Sequence, residues 1–199
     1  MTFSKNVVPG SGDVTIKKKS DNSVVEAIAA SSATGSGTKV ISANPSSNLA
    51  ADTEYYVLIS AGAFEDESGN DYAGISDNAK WNFMTADTIA PTVSSFSPAD
   101  EASGVASSTN LVIAFSETVV ANSGKITIKK GLDDSLVEEI AVGSVSGSGS
   151  STITANPVAD LAADTKYYVL VDATAFKDAA GNLFAGISSK TVWNFTTAP

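Results

Sequence analysis

The sequence predicts an all-β protein: two tandem Greek-key β-sandwiches, the first lacking its N-terminal strands. Three observations predict it. Apolar residues alternate with polar ones at period two through most of the chain, the pattern of half-buried strands. Clusters of Gly, Ser, Asn, Asp and Pro interrupt that pattern at short intervals, as turns do. The second part of the chain also repeats the first at a fixed offset of 112 residues.

The repeat sets the domain organisation. Residues 3–87 fall on 115–199 without a gap, and 48 of the 85 aligned pairs are identical, far too many for chance. Val14-Thr15-Ile16-Lys17-Lys18 falls on Ile126-Thr127-Ile128-Lys129-Lys130, Ala43-Asn44-Pro45 on Ala155-Asn156-Pro157, and Trp81-Asn82-Phe83 on Trp193-Asn194-Phe195. A period of 112 residues is too long for a solenoid unit and suits a whole domain. Residues 1–87 are therefore read as a truncated module and 88–199 as a complete one. Nothing in module one corresponds to residues 88–114, so the chain is expected to be a fragment of a longer repeat protein.

In module two the alternation predicts strands over 92–96, 110–115, 125–130, 136–142, 151–155, 166–172 and 192–197. Leu111, Ile113 and Phe115 share one face, as do Ile126 and Ile128, Tyr167, Val169 and Val171, and Trp193 and Phe195. Turn clusters separate them: Ser97-Pro98-Ala99-Asp100, Asn122-Ser123-Gly124, residues 146–150 and Ala180-Gly181-Asn182. Seven short strands in one such module suit a sandwich. No segment carries a helical stripe, and no apolar run approaches the roughly 18 residues of a membrane span.

Composition excludes whole classes of chemistry. The chain has no Cys and no His, hence no disulfide framework, thiol nucleophile or Ser–His triad. Its net charge of −10, with no Arg, opposes binding to phosphate backbones, so no nucleic-acid partner is expected. Gly35-Ser36-Gly37 and Gly147-Ser148-Gly149 read as hairpin connections rather than phosphate cradles, because neither precedes a helix.

Five separated elements then carry a family resemblance. Asp87-Thr88-Ile89-Ala90-Pro91-Thr92-Val93 leads to Phe96-Ser97-Pro98-Ala99-Asp100, Gly104-Val105 and Leu111-Val112-Ile113-Ala114-Phe115-Ser116-Glu117. The later elements are Leu161 to Tyr168, Phe176 to Asn182, and Trp193-Asn194-Phe195-Thr196-Thr197. Together they resemble the bacterial Ig-like domains of S-layer proteins and large surface adhesins. The resemblance implies disulfide-free Ig-like sandwiches, without enzymatic activity, acting as spacer or adhesive modules outside the cell or on its surface. The partners it implies are neighbouring Ig-like modules of the same chain. The alternative is a ligand-binding module for calcium or carbohydrate, or an accessory domain of a secreted enzyme.

Within that frame Leu161-x-x-x-Thr165-x-Tyr167, repeated at Leu49, Thr53 and Tyr55, reads as a tyrosine corner. Trp81, Phe83, Trp193 and Phe195 read as core. Carboxylates supply the remaining candidate chemistry. Asp66-Glu67-Ser68-Gly69-Asn70-Asp71 resembles a shortened calcium loop, but its counterpart Asp178-Ala179-Ala180-Gly181-Asn182-Leu183 keeps only Asp, Gly and Asn, which an ordinary turn explains. Asp87, Asp100 and Glu101 are a second possible calcium site at the joint, read in preference as solvated surface. Asn82 and Asn194, candidates for a Lys–Asn crosslink, should point outward if the flanking aromatics point inward. Tyr56, Tyr72, Tyr168 and Phe184 are the candidate exposed aromatics for a sugar platform, and they are scattered. No catalytic, cofactor or metal residue is assigned. Finally, the missing strands should bare the edge near residues 38–43 of module one, and a homodimer through that open edge is expected.

Overall fold

The computed structural model describes all 199 residues, and the chain divides into two compact units, Met1–Asp87 and Thr88–Pro199. Module one holds β1 (Thr2–Pro9), β2 (Asp13–Lys18), β3 (Val24–Ala29), β4 (Thr38–Val40), β5 (Glu54–Ile59), β6 (Phe64–Asp66) and β7 (Asn82–Met84). Module two holds β8 (Val93–Ser97), β9 (Ala102–Val105), β10 (Leu111–Ala121), β11 (Lys125–Lys130), β12 (Leu136–Ala141), β13 (Ser150–Ala155), β14 (Lys166–Val171), β15 (Phe176–Lys177) and β16 (Asn194–Thr197). The regular structure is otherwise limited to a short 3-10 turn in each module, Ala30–Ser32 and Val142–Ser144.

In module two a five-stranded sheet, ordered β12-β11-β14-β16-β9, packs against a sheet centred on β10. β10 is flanked by β13 on one side; on the other it pairs first with β8 and then, past a register shift, with β15. The ladder with β13 also shifts register, between Ala114 and Val119, and β10 runs on to Ala121, beyond the expected end at Phe115. The expected period-two faces are the core: Leu111, Ile113, Phe115, Ile126, Ile128, Tyr167, Val169, Val171, Trp193 and Phe195 are all buried.

Two strands were not legible as alternation. β15 has only two residues, and β9 (Ala-Ser-Gly-Val) lacks a bulky apolar face. β9 is placed by backbone pairing instead, running parallel to β16 with Ala102 opposite Phe195 and Val105 opposite Thr197.

Module one repeats this plan with pieces absent. Its sheets are β3-β2-β5-β7 and β4-β1-β6, with no counterpart of β8 or β9. The ring packing is reproduced closely. Phe3 meets Phe64 at 5.4 Å and Tyr72 edge-on at 5.2 Å, and Phe115 meets Phe176 at 5.4 Å and Phe184 at 5.2 Å. The Gly-Ser-Gly hairpins also match. A Cβ on Gly35 would lie 2.0 Å from the Val40 carbonyl oxygen, and one on Gly147 2.0 Å from that of Thr152; both glycines have positive φ. These glycines are fixed by turn geometry.

The absent strands change the burial of what they would cover. Trp193 and Phe195 are fully buried, whereas Trp81 and Phe83 are only partly buried and Met84 is 63% exposed. The expectation that Trp81 and Phe83 are core therefore needs correction. They face the interior, but module one has no β8–β9 layer to seal them. β4 is likewise three residues long where β13 has six.

Candidate functional site

The tyrosine corners come first because they fix the loops around them. Tyr167 hydroxyl accepts a hydrogen bond from the Ala162 backbone N–H at 2.9 Å, and Tyr55 hydroxyl accepts one from Ala50 at 3.1 Å. A threonine on the last strand completes each corner. Thr197 Oγ1 donates to the Ala162 carbonyl at 2.7 Å and accepts from the Thr165 N–H at 3.0 Å; Thr85 does the same for Ala50 and Thr53 at 2.6 and 3.0 Å. The sequence reading found the tyrosines but missed these threonines, whose identity in both copies was the available signal.

The acidic turns are built around one carboxylate each. Asp66 Oδ1 accepts from the backbone N–H groups of Ser68 and Asn70 and from Asn70 Nδ2, all at 3.0 Å, while Lys5 Nζ pairs with Oδ2 at 2.7 Å. Lys5 first, then Asn70, holds the Asp66 carboxyl well below its ordinary value. Asp178, 2% exposed, accepts from the Asn182 backbone at 2.8 Å and from Asn182 Nδ2 at 2.7 Å. Burial pushes the Asp178 carboxyl up, but the side-chain and backbone hydrogen bonds of Asn182 outweigh it, and the net shift is downward. Both are Asp-initiated turns closed by a glycine at positive φ, Gly69 and Gly181. A carboxylate oxygen of Glu117 lies within 4.8 Å of one from Asp178, a proximity that spacing in the sequence could not reveal.

Asp100 is exposed, as expected of a surface carboxylate, and it is also hydrogen-bonded. Its Oδ1 accepts from the Asn194 backbone N–H at 2.9 Å and from Asn194 Nδ2 at 2.8 Å, while Trp193 Nε1 donates to the Pro98 carbonyl at 2.9 Å. The turn between β8 and β9 thus folds over the end of β16. This corrects the expectation for Asn194, which is 4% exposed rather than pointing into solvent. Alternation did place it on the face away from the core, but the β8–β9 turn covers that face. Its amide is engaged by Asp100, and its Oδ1 has no partner. Asn82 lacks this turn, is exposed as expected, and donates to the Ala79 carbonyl at 3.1 Å.

The four candidate exposed aromatics are another correction. Tyr56, Tyr168 and Phe184 are buried and Tyr72 is partly buried against Phe3. Tyr56 donates to Asn22 Oδ1 at 3.0 Å under the Lys17 ammonium, and Tyr168 hydrogen-bonds Asp134. Tyr72 and Phe184 pack against Phe3 and Phe115, so the four rings form no flat aromatic platform for a sugar.

A concavity of about 430 Å³ lies in module one, between Met1, Phe3, Ile59, Tyr72, Ile75 and Trp81. A second hollow of about 270 Å³ adjoins Trp81 on the side of Ile41, Leu49 and Phe83. It is apolar and without converging titratable groups.

Compared with known families, residues 1–85 and 87–197 each match the model described as the bacterial Ig-like domain. The chain belongs to the bacterial Ig-like domain family. No curated protein matches it. The family match thus covers both modules. In both Ig-like modules the matched segments run through the tyrosine corner, the acidic turn and the Trp-Asn-Phe strand. No helix is long and apolar enough to cross a membrane.

Proposed function

We propose that this chain is a structural, adhesive repeat segment of a bacterial extracellular or cell-surface protein, acting as a spacer that joins neighbouring Ig-like modules. The observation that carries the reading is the repetition of a whole Ig-like sandwich whose polar side chains are spent on its own turns. Asp66, Asp100 and Asp178 each accept several internal hydrogen bonds, and the tyrosine corners pin loops. The net charge of −10 keeps neighbouring copies apart in solution.

The second reading, a calcium-binding module, has one observation in its favour, the closeness of Glu117 and Asp178. Against it, the oxygens of these two carboxylates fall short of the six or more that Ca²⁺ takes. Thermal melting separates the two. A spacer should melt at the same temperature in EDTA and in millimolar Ca²⁺, whereas an ion held only by the native state raises the midpoint by mass action. A saturable upward shift abolished by Asp178→Ala would overturn the spacer reading of that turn. For the localisation, antibodies raised against the chain should label intact cells of the source bacterium. Labelling only after permeabilisation would contradict it.

A further inference from the structure

We infer that a polar hollow on the outer face of module two is a binding site for a small zwitterion, an α-amino acid that carries ammonium and carboxylate together. The hollow has a volume of about 220 Å³ and is lined by Glu101, Lys166, Tyr168, Lys190, Thr191 and Asn194. Asn194 is the first sign that it receives something. This residue is 4% exposed, its Nδ2 donates to Asp100, and its Oδ1 has no donor. A buried acceptor left unmet costs free energy that a bound donor recovers. Lys166, Lys190 and Thr191 around it are all exposed, so a small donor reaches Oδ1 by displacing them.

Two opposite charges line the hollow without a partner. On one side of β16 lies β14, which carries Lys166; on the other, just before β9, the Glu101 N–H donates to the Asn194 carbonyl at 2.6 Å. The Lys166 ammonium and the Glu101 carboxylate form no ion pair, with each other or with any other group. Glu101 is held at φ +60, whereas the other non-glycine residues at positive φ are Asn22, Asp52, Asp134 and Asp164, types that tolerate it. What a glutamate adds at that position is its carboxylate. Gly131 has no such backbone need, yet a Cβ on it would lie 3.0 Å from Cγ of Lys166, so its bareness leaves room for the lysine stem. The repeat shows that the fold does not demand these residues. In module one Lys166 and Gly131 correspond to Glu54 and Lys19, which pair with each other, and Lys190 and Thr191 to Asn78 and Ala79. A zwitterion sets its carboxylate toward Lys166 and its ammonium toward Glu101 and Asn194 Oδ1, meeting each group that the fold leaves unpartnered. An anion alone would leave Glu101 and Oδ1 unmet, and a cation alone would leave Lys166.

The test titrates the isotopically labelled 199-residue chain with L-alanine and follows its backbone and side-chain amide signals by NMR. Propionate, which lacks the ammonium, and ethylamine, which lacks the carboxylate, are the comparison ligands. The expected result is saturable shifts at Glu101, Lys166 and Asn194, including the Asn194 side-chain amide. The dissociation constant should be about 1 mM, the scale for a ligand of so few heavy atoms. Propionate and ethylamine should each bind about fivefold or more weakly, and so should alanine to the Lys166→Met and Glu101→Gln variants. Both substituted side chains are exposed, so neither change disturbs the core. Absence of saturable shifts with alanine, propionate binding as tightly as alanine, or an Asn194 side-chain amide that does not move would each overturn the inference. So would equal shifts at Asn82 of module one, where Glu54 stands in place of Lys166.

Discussion

Tyr167 illustrates how much a single hydroxyl does in each module. Tyr167→Phe keeps the ring packed among buried neighbours but leaves the Ala162 N–H without its acceptor at a turn that Thr197 also clamps. Chemical denaturation should register a loss of about 1–2 kcal/mol, the scale of an unmet buried donor. A neutral result would mean that water replaces the hydroxyl and the corner pins nothing. The acidic turns make a different prediction, in pH. Asp66 and Asp178 both titrate below their ordinary value in the folded chain, so between the folded and unfolded values the native state binds fewer protons than the unfolded one. Their contribution is fully present above the ordinary carboxylate value of 3.8 and is lost as pH falls through the lowered values. Urea midpoints should therefore stay level from pH 7 to about 5 and drop below about 4. The drop should be shallower in an Asp66→Asn, Asp178→Asn double variant, and an unchanged acid limb there would assign it to other carboxylates.

Elements differ in how openly the sequence announces them, and the reason is physical. β11 was legible to the residue, and β12, β13 and β14 to within one, because each buries alternate side chains between two sheets. β9 was illegible because Ala102, Ser103, Gly104 and Val105 are positioned by hydrogen bonding to β16, and a backbone ladder leaves no mark on side-chain pattern. The second half of β10 was hidden by Ser116-Glu117-Thr118, where the register shifts and alternation breaks. The candidate site residues follow the same rule. Asp66 and Asp178 read correctly as turn formers, since Asp-x-x-Gly-Asn is a local grammar. The bond between Asp100 and Asn194 was not legible, because it joins residues 94 positions apart. Tyr56 and Tyr168 looked exposed because alternation assigns them to the outer face, and it carries no information about what covers that face; Phe184 lies outside the strands, where alternation gives no face at all.

At the scale of the whole molecule, the two modules are the same design at two states of completion, and their stabilities should separate accordingly. Module one keeps a buried core of Val14, Ile16, Tyr55, Val57 and Phe64, but Trp81, Phe83 and Leu49 at its open side are only partly covered. Module two covers each equivalent fully. Apolar area left in water contributes roughly 25 cal/mol per Å² less than area buried, and a bare strand edge also forgoes its ladder. Each module holds one tryptophan at the affected place, so Trp→Phe variants at 81 and 193 leave a reporter for one module at a time. The Trp81 signal should unfold first, at a urea midpoint lower by about 1 M or more, which at the slopes of small domains corresponds to roughly 1–3 kcal/mol. Trp193→Ala should cost about 3–5 kcal/mol in the later transition, as deletion of a buried indole does. Trp81→Ala should cost well under half of that, because its ring already faces water on one side. Coincident transitions for the two reporters would mean that the β8–β9 layer adds little stability, and that the difference in burial between Trp81 and Trp193 has no energetic counterpart.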